Sequence, residues 1–303
     1  MAVAVRGARA GVARDLQTLL GSMSVRSISS SAPLFKDHSA DDSSLKHNPL
    51  KHHNSKSSSA SDLTGEEEIV KPKERKKLLV LGGNGFVGSH VCMEALARGV
   101  PVVSLNRTGR PNTSDSSWTN NVVWVRGDLF DPSRWEGSLD EVQSVISCVG
   151  GFGTNEQMRR INGEANRSAV WAASKAGVKK FVYVSIADFG LPPFVLPGYF
   201  EGKKMAEDAV RSKFPYSGVI LRPGFIYGTR KFGGVNLPLG IIGTPLETVM
   251  TQAKVLSQIP LVGPLFVPPV NVEAVAKAAV KAALGPVPPG VMDVWSIIRL
   301  GSH

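Results

Sequence analysis

The chain has 303 residues, 42% hydrophobic and 20% charged, enough for one large α/β domain with a packed core. Its net charge of +10 is dispersed. Residues 1–77 hold 13 Lys and Arg against 9 Asp and Glu, and residues 78–303 hold 22 against 16, so no basic stripe marks a nucleic-acid surface. Two cysteines, Cys92 and Cys148, exclude a disulfide framework, and no metal-ligand spacing exists.

Residues 1–35 read as a transit peptide. Arg6, Arg9, Arg14 and Arg26 are spaced through Ala, Val, Leu and Ser, and Asp15 is the only acid before Asp37. Such a segment forms a cationic amphipathic helix without the continuous apolar stretch of a secretory signal. Arg26-Ser27-Ile28-Ser29 resembles a mitochondrial processing site. The mitochondrial matrix is the expected compartment, with chloroplast stroma the alternative. Residues 36–76 read as a disordered linker, rich in Ser, His, Lys and Asp, whose histidines are expected to be solvated.

From Lys77 onward, strands and helices alternate, which predicts a doubly wound parallel sheet. Leu78-Leu79-Val80-Leu81 has the apolar character of a strand buried on both faces. It runs into Gly82-Gly83-Asn84-Gly85-Phe86-Val87-Gly88 and then a helical stretch, Ser89–Arg98. Glycines at that junction allow a tight turn, let backbone N–H groups reach a pyrophosphate, and let the helix pack on the strand. This predicts a dinucleotide site. The second strand, Val102–Leu105, ends at Asn106 and Arg107, where an NAD-selective site places a carboxylate for the ribose 2′-hydroxyl. A guanidinium there pairs with a 2′-phosphate, so NADP(H) is expected over NAD(H), with Arg110 nearby.

Val122–Arg126 is the third predicted strand, and Gly127-Asp128-Leu129 would sit beside the adenine. Asp131-Pro132 opens a short helix as N-cap and first position. A fourth strand, Val145–Val149, ends in Gly150-Gly151-Phe152-Gly153, small residues where a cofactor passes close to the backbone. Asn155–Ala176 is a long helix and Lys180–Val184 a fifth strand.

That strand ends at Ser185, and Tyr199-Phe200-Glu201-Gly202-Lys203 follows. Tyr-x-x-x-Lys on a helix puts phenol and ammonium one turn apart on one face. A cation there lowers the phenol pKa, and a serine hydroxyl can bind a substrate oxygen. Together they move the proton at a carbonyl or alcohol carbon while a nicotinamide moves hydride. A second match, Tyr227-x-x-x-Lys231, follows the sixth strand in Leu221-Arg222-Pro223-Gly224-Phe225-Ile226-Tyr227-Gly228, where the chain turns, and reads as a decoy.

These motifs stand in the order of the extended and atypical short-chain dehydrogenase/reductases, which residues 78–298 resemble. Tyr199–Glu207 and Pro269–Ala276 are similar to a mitochondrial subgroup that includes an accessory subunit of respiratory complex I and proteins of coenzyme Q biosynthesis. The resemblance implies a Rossmann domain with Ser185, Tyr199 and Lys203 as the catalytic trio. It also implies that Lys203 binds the nicotinamide ribose, that Asn162 supports a water in the proton relay, and that Pro223 and Gly224 line the carboxamide. Some relatives in that subgroup hold a nucleotide as structural or assembly factors.

Phe232–Leu246 and Val255–Val272 are uncharged and apolar. Pro260, Pro264, Pro268 and Pro269 would break a membrane helix in the second run. A small C-terminal substrate-covering region, about residues 229–303, is therefore expected, with a peripheral inner-membrane contact the alternative and a hydrophobic substrate in either case. Val272–Leu284 is a further helix and Val291–Ile298 a last strand. Three functions follow: an NADP(H)-dependent oxidoreductase acting on a hydrophobic, quinone-related molecule; a nucleotide-holding factor of complex I or a coenzyme Q synthesis complex; and an RNA-binding relative. The last lacks an aromatic-interleaved basic segment, so nucleic acid is not expected as a partner.

Overall fold

The computed structural model describes residues 77–111, 117–189, 196–232, 235–238 and 267–302, all within one compact unit. The transit-peptide and linker readings lie outside these residues, as do most of the two apolar runs.

The sheet is built outward from β1 (Lys77–Leu81), where Leu78 to Leu81 are buried on both faces as the unbroken apolar run requires. β2 (Val102–Asn106) and β3 (Val122–Arg126) lie on one side of it. On the other side lie β4 (Val142–Ser147), β5 (Lys180–Val184), β6 (Gly218–Leu221) and β11 (Gly290–Met292). The order is β11-β6-β5-β4-β1-β2-β3, and every pairing is parallel. The chain reverses direction between β1 and β4, the point at which open α/β sheets bind ligands beyond the strand ends. Doubly wound Rossmann-like topology is therefore the fold.

Helices cover both faces. On one, α1 (Phe86–Ala97) packs with α5 (Val272–Leu284) and α6 (Val294–Gly301). On the other lie α2 (Asn155–Arg159), α3 (Ala165–Lys175) and α4 (Pro197–Lys213). The expected helix Asn155–Ala176 is thus α2 and α3 joined by a π turn, Arg160–Glu164. Its start is fixed by a capping box, in which Thr154 accepts from Gln157 N and Gln157 returns a bond to Thr154 N.

Several expected elements differ. β4 begins three residues early and stops at Ser147, because two of its polar residues are satisfied inside the core. Ser144 Oγ donates to Ala283 O at 2.7 Å, and Ser147 Oγ to Asn166 Oδ1 at 2.6 Å. The predicted strand Val291–Ile298 is corrected: β11 stops at Met292 and α6 follows. Asp293 caps α6 by accepting from Ser296 N at 2.8 Å, and Val294, Ile297 and Gly301 turn inward at helical spacing. Nor do the described residues 270–302 form a covering region. α5, with Ala276, Ala278, Ala279, Ala282 and Ala283 buried, lies against β4, β5 and α1 as part of the central core. The described residues beyond β6 add β7 (Ile226–Tyr227), paired with β10 (Val270–Asn271), and the hairpin β8 (Thr229–Phe232) with β9 (Val235–Pro238). No helix among the described residues is long and apolar enough to cross a membrane.

Candidate active site

At the strand ends three loops converge. Gly82 N donates to Leu105 O, and Cys148 N to Leu81 O, so the loops after β1, β2 and β4 share one edge. Gly82 adopts φ +82°, the left-handed turn the motif requires. A side chain at Gly88 would meet the carbonyl of Gly82, so this glycine sets the approach of α1 to the strand. A side chain at Gly83 would meet Ser104 Oγ and Cys92 Sγ. At Gly85 one would meet only Gly82 O, at 3.1 Å. Gly85 is the N-cap of α1 and supplies no side-chain bond, so the amides of Phe86, Val87 and Gly88 stand at an open helix N-terminus. That cradle fits a pyrophosphate.

Asn106 is placed beside the cradle, but its carboxamide is spent internally. Oδ1 accepts from Asn84 N at 3.0 Å, and Nδ2 donates to Ser104 Oγ at 2.9 Å. Asn106 therefore sets the glycine loop, and what reads a ribose must come from its neighbours. Arg107 is exposed and, among the described residues, makes no side-chain hydrogen bond or ion pair. Thr108 accepts from Asn84 Nδ2 at 3.3 Å. Arg110 turns the other way, to Thr119 and Asn120. Asp128 is exposed after β3 and accepts from Phe130 N at 3.0 Å, while Leu129 is buried.

The second wall of the site is built by α4 against the π turn. Gly202 lies where a side chain would start 3.0 Å from Asn162 Cβ and from Met158 O, so the two helices meet backbone to backbone and bring Lys203 beside Asn162. Lys203 Nζ donates to Val184 O at 2.9 Å and sits over the rings of Tyr183, at 5.0 Å, and Tyr199, at 5.8 Å. A side chain at Gly150 would begin 3.3 Å from this ammonium and 2.9 Å from Asn162 Oδ1, so only glycine leaves the edge open. One of the three ammonium donors is used, and the others fit ribose hydroxyls. Burial brings Lys203 down to about 8, against the opposing influence of Cys148 and Glu207.

Tyr199 stacks on Phe152, with ring centroids 4.9 Å apart and planes within 5°. Tyr199 is half-buried as a residue, and burial pushes its phenol up to about 12, the reverse of the lowering expected from Lys203. Burial raises Cys148 to about 12 and lifts Tyr183 well above its ordinary value, so both are neutral near pH 7.

Asn162 is wholly buried. Its side chain bonds Gly151 twice, accepting from N at 3.2 Å and donating to O at 2.9 Å, and also donates to Met158 O. Its carbonyl accepts from Asn166 Nδ2 and Tyr183 Oη. The residue holds the Gly150–Gly153 loop under Tyr199. Pro223 O accepts from Ala187 N at 2.8 Å, and Gly224 packs on the carbonyl of Pro268. Tyr227 and Lys231 lie on two short strands rather than on one helix.

Ser185 engages Glu207, one turn beyond Lys203 on α4. Its hydroxyl donates to Glu207 Oε1 at 2.7 Å. Glu207 lies two turns beyond Tyr199 on α4, about 12 Å along the axis. It also takes Arg222 through two bonds, at 2.8 and 2.5 Å, and Arg211 at 2.8 Å. Sequence reasoning missed this cluster. Its available signal was the further four-residue step from Lys203 to Glu207, which continues the face on which Tyr199 and Lys203 lie. A separate cleft of about 330 Å³, lined by Phe130, Glu164, Arg167, Ser168 and Trp171, contains none of these site residues.

The chain is similar to known proteins. Residues 82–239 match a family described as NAD(P)H-binding. An uncharacterized chloroplastic protein of Arabidopsis thaliana is 48% identical over 220 residues, 71% of this chain and 74% of its own length. MIOREX complex component 2 of Saccharomyces cerevisiae is 26% identical over 277 residues, 74% of this chain and 99% of the yeast protein. Among solved structures, MoeE5 in complex with UDP-glucuronic acid and NAD superposes with a TM-score of 0.51 at 22% identity, over 72% of this chain and 76% of that one, a likeness of fold. With the glycine cradle at the switch point of a parallel sheet and more than half of its length matched, the chain belongs to the NAD(P)H-binding family of short-chain dehydrogenase-like Rossmann proteins.

Proposed function

We propose that the protein is an organellar oxidoreductase that uses NADPH to reduce a hydrophobic carbonyl, with quinone-related molecules the substrate class. The observation that carries this reading is the Tyr199–Lys203 pair beside the open edge at Gly150. A phenol pushed up to about 12 keeps its proton at neutral pH and suits the role of acid toward a carbonyl oxygen, which favours the reductive direction. Lys203 would hold the nicotinamide ribose through its two remaining donors. NADPH when bound supplies the hydride. Arg107 supports the choice of NADPH, because it is the exposed cation where a carboxylate would bind a 2′-hydroxyl. The Arg-spaced N-terminus supports mitochondrial import. The test is NADPH oxidation by the purified protein with short-chain quinones and aliphatic ketones, alongside Tyr199→Phe. Turnover that disappears in the variant supports the reading, and no turnover with any of them counts against it.

A second reading, a nucleotide-holding component of an organellar assembly, is favoured by the bond that ties Ser185 to Glu207. It draws further on the yeast relative, a complex component by name. The reading extends to complex I or a coenzyme Q synthesis complex at the inner membrane. A null line restored equally by Tyr199→Phe and by the unaltered protein would favour it.

A further inference from the structure

We infer that Glu207 is a positioning residue of the Tyr199–Lys203 site, supplying the counter-charge of Lys203 while tying the ends of β5 and β6 to α4. The inference rests on the proposed role of Lys203 as a nucleotide contact.

The geometry is that of a built anchor. Glu207 is 3% exposed, and its two carboxylate oxygens accept from three side chains on three elements: Ser185 after β5, Arg222 after β6, and Arg211 on α4. Two of those donors leave the sheet at neighbouring strands, because Ser185 N donates to Leu221 O at 2.7 Å. The same stretch of β5 offers Val184 O, on which Lys203 Nζ rests. Glu207 therefore fixes the helix against the carbonyl that orients the ammonium.

Charge gives the anchor a second role. The titratable groups facing Lys203 are Cys148 on the loop after β4, Tyr183 on β5, and Tyr199 and Glu207 on α4. Burial leaves the thiol and both phenols neutral near pH 7. Burial also pushes Glu207 up, but hydrogen bonds from Arg222 and Ser185 outweigh it and hold the carboxyl below its ordinary value. Glu207 is thus the anion in this group, with Arg211 and Arg222 behind it and Asp188 facing Arg222. An ammonium buried between two aromatic rings keeps its proton more readily with that charge one turn away.

The experiment measures NADPH affinity of the full chain from about pH 7 to about pH 10, a range that brackets loss of the lysine proton. Affinity is expected to weaken as Lys203 deprotonates. In Glu207→Gln the midpoint of this fall should move down by about one pH unit or more, the shift one close opposite charge gives. Ser185→Ala removes a bond but no charge and should leave the midpoint in place, and Glu207→Asp should restore it. If Glu207→Gln does not fold, the paired change Glu207→Met with Arg222→Met removes both charges together, and the downward shift is expected to persist but to be smaller, because Lys203 is closer to the lost anion than to the lost cation. A midpoint equal to that of the unaltered protein overturns the inference and leaves Glu207 a packing residue. Affinity flat across the whole range overturns it too, by removing Lys203 from the nucleotide site. Because the readout is binding, absence of turnover bears on the oxidoreductase reading alone.

Discussion

Ser185 gives its hydroxyl hydrogen to Glu207 across 2.7 Å, and Glu207 is an anion that has no proton to return. The hydroxyl is thereby committed as a donor and has only lone pairs left for anything else. A hydrogen bond from Ser185 to a substrate carbonyl would require breaking this one. Ser185→Ala is therefore expected to keep NADPH-dependent turnover within a few-fold and to lower stability by about 1–2 kcal/mol, the cost of a lost bond to a charged group. Denaturant unfolding together with a turnover assay separates the two. A loss of two or more orders of magnitude in rate at unchanged stability would return Ser185 to the reacting centre.

The glycine motif divides into two functions that mutation should resolve. A methyl group at Gly88 would run into the carbonyl of Gly82, backbone against backbone, so Gly88→Ala should destabilise the fold by about 1–3 kcal/mol through overpacking. At Gly85 the added carbon meets only Gly82 O, at 3.1 Å, and the backbone there is extended, at φ −83° and ψ 174°. Gly85→Val should therefore fold at a smaller cost than Gly88→Ala and lose nucleotide binding, because the side chain would occupy the approach to the α1 amides. Thermal melting with and without NADPH distinguishes them. A Gly85→Val protein that NADPH still stabilises would show that the pyrophosphate lies elsewhere.

Much of this site could be read from the sequence because its parts are local. A strand, a glycine turn and a helix occupy 21 consecutive residues, from Lys77 to Ala97. Tyr199 and Lys203 need only one helical turn to meet. β3 and β5 end where their apolar runs end. What escaped depends on contacts between distant segments. Ser144 and Ser147 look like poor strand residues until Ala283 and Asn166 accept from them. Glu207 and Arg222 lie 15 residues apart on a helix and after a strand, and only the packed fold makes them partners. The segment after Met292 misled for a different reason. Its apolar residues suit a strand, and the decisive feature is the single carboxylate of Asp293, which captures Ser296 N and starts a helix.

Arg107 provides a test of cofactor choice. Asn106 has both ends of its carboxamide engaged, so the ribose must be read past it, where Arg107 is exposed. The protein is expected to bind NADPH about tenfold or more tighter than NADH, the scale of a charge-assisted bond of 1.5–3 kcal/mol. Arg107→Ala should bring the two affinities together by weakening NADPH alone. Titration at one salt concentration checks this, and a preference that survives the substitution would remove Arg107 from the site.

Acid stability should expose Glu207 independently of any ligand. Its carboxyl is held below its unfolded value, mainly by Arg222 and Ser185 acting against burial. A group depressed in the folded state contributes stability that is present above its unfolded pKa and disappears as pH falls through the folded one. Unfolding free energy of the unaltered protein should therefore drop on acidification more steeply than that of Glu207→Gln, with the two curves converging at low pH. Parallel curves would mean that the carboxylate is equally stabilised in the unfolded chain.

The sharpest test concerns Tyr199, its neighbour Lys203 and the unrelated Tyr227. The Tyr199 ring is held by Phe152 at 4.9 Å, one helical turn from Lys203. Tyr199→Phe keeps that stack, so nucleotide affinity should stay nearly intact. Turnover should fall by about 10²–10⁴-fold, the range for a lost general acid. Lys203→Ala removes the ammonium that rests on Val184 O between two rings, and should damage both affinity and rate. Tyr227 lies on a two-residue strand paired with Val270 and Asn271, outside the helix that carries Tyr199 and Lys203. Tyr227→Phe should leave affinity and rate within a few-fold of the unaltered protein. Each variant is to be measured for NADPH affinity and for oxidation rate on the same preparation. If Tyr199→Phe and Tyr227→Phe give the same values in both, the phenol of Tyr199 takes no part in proton transfer and the nucleotide-holding reading leads.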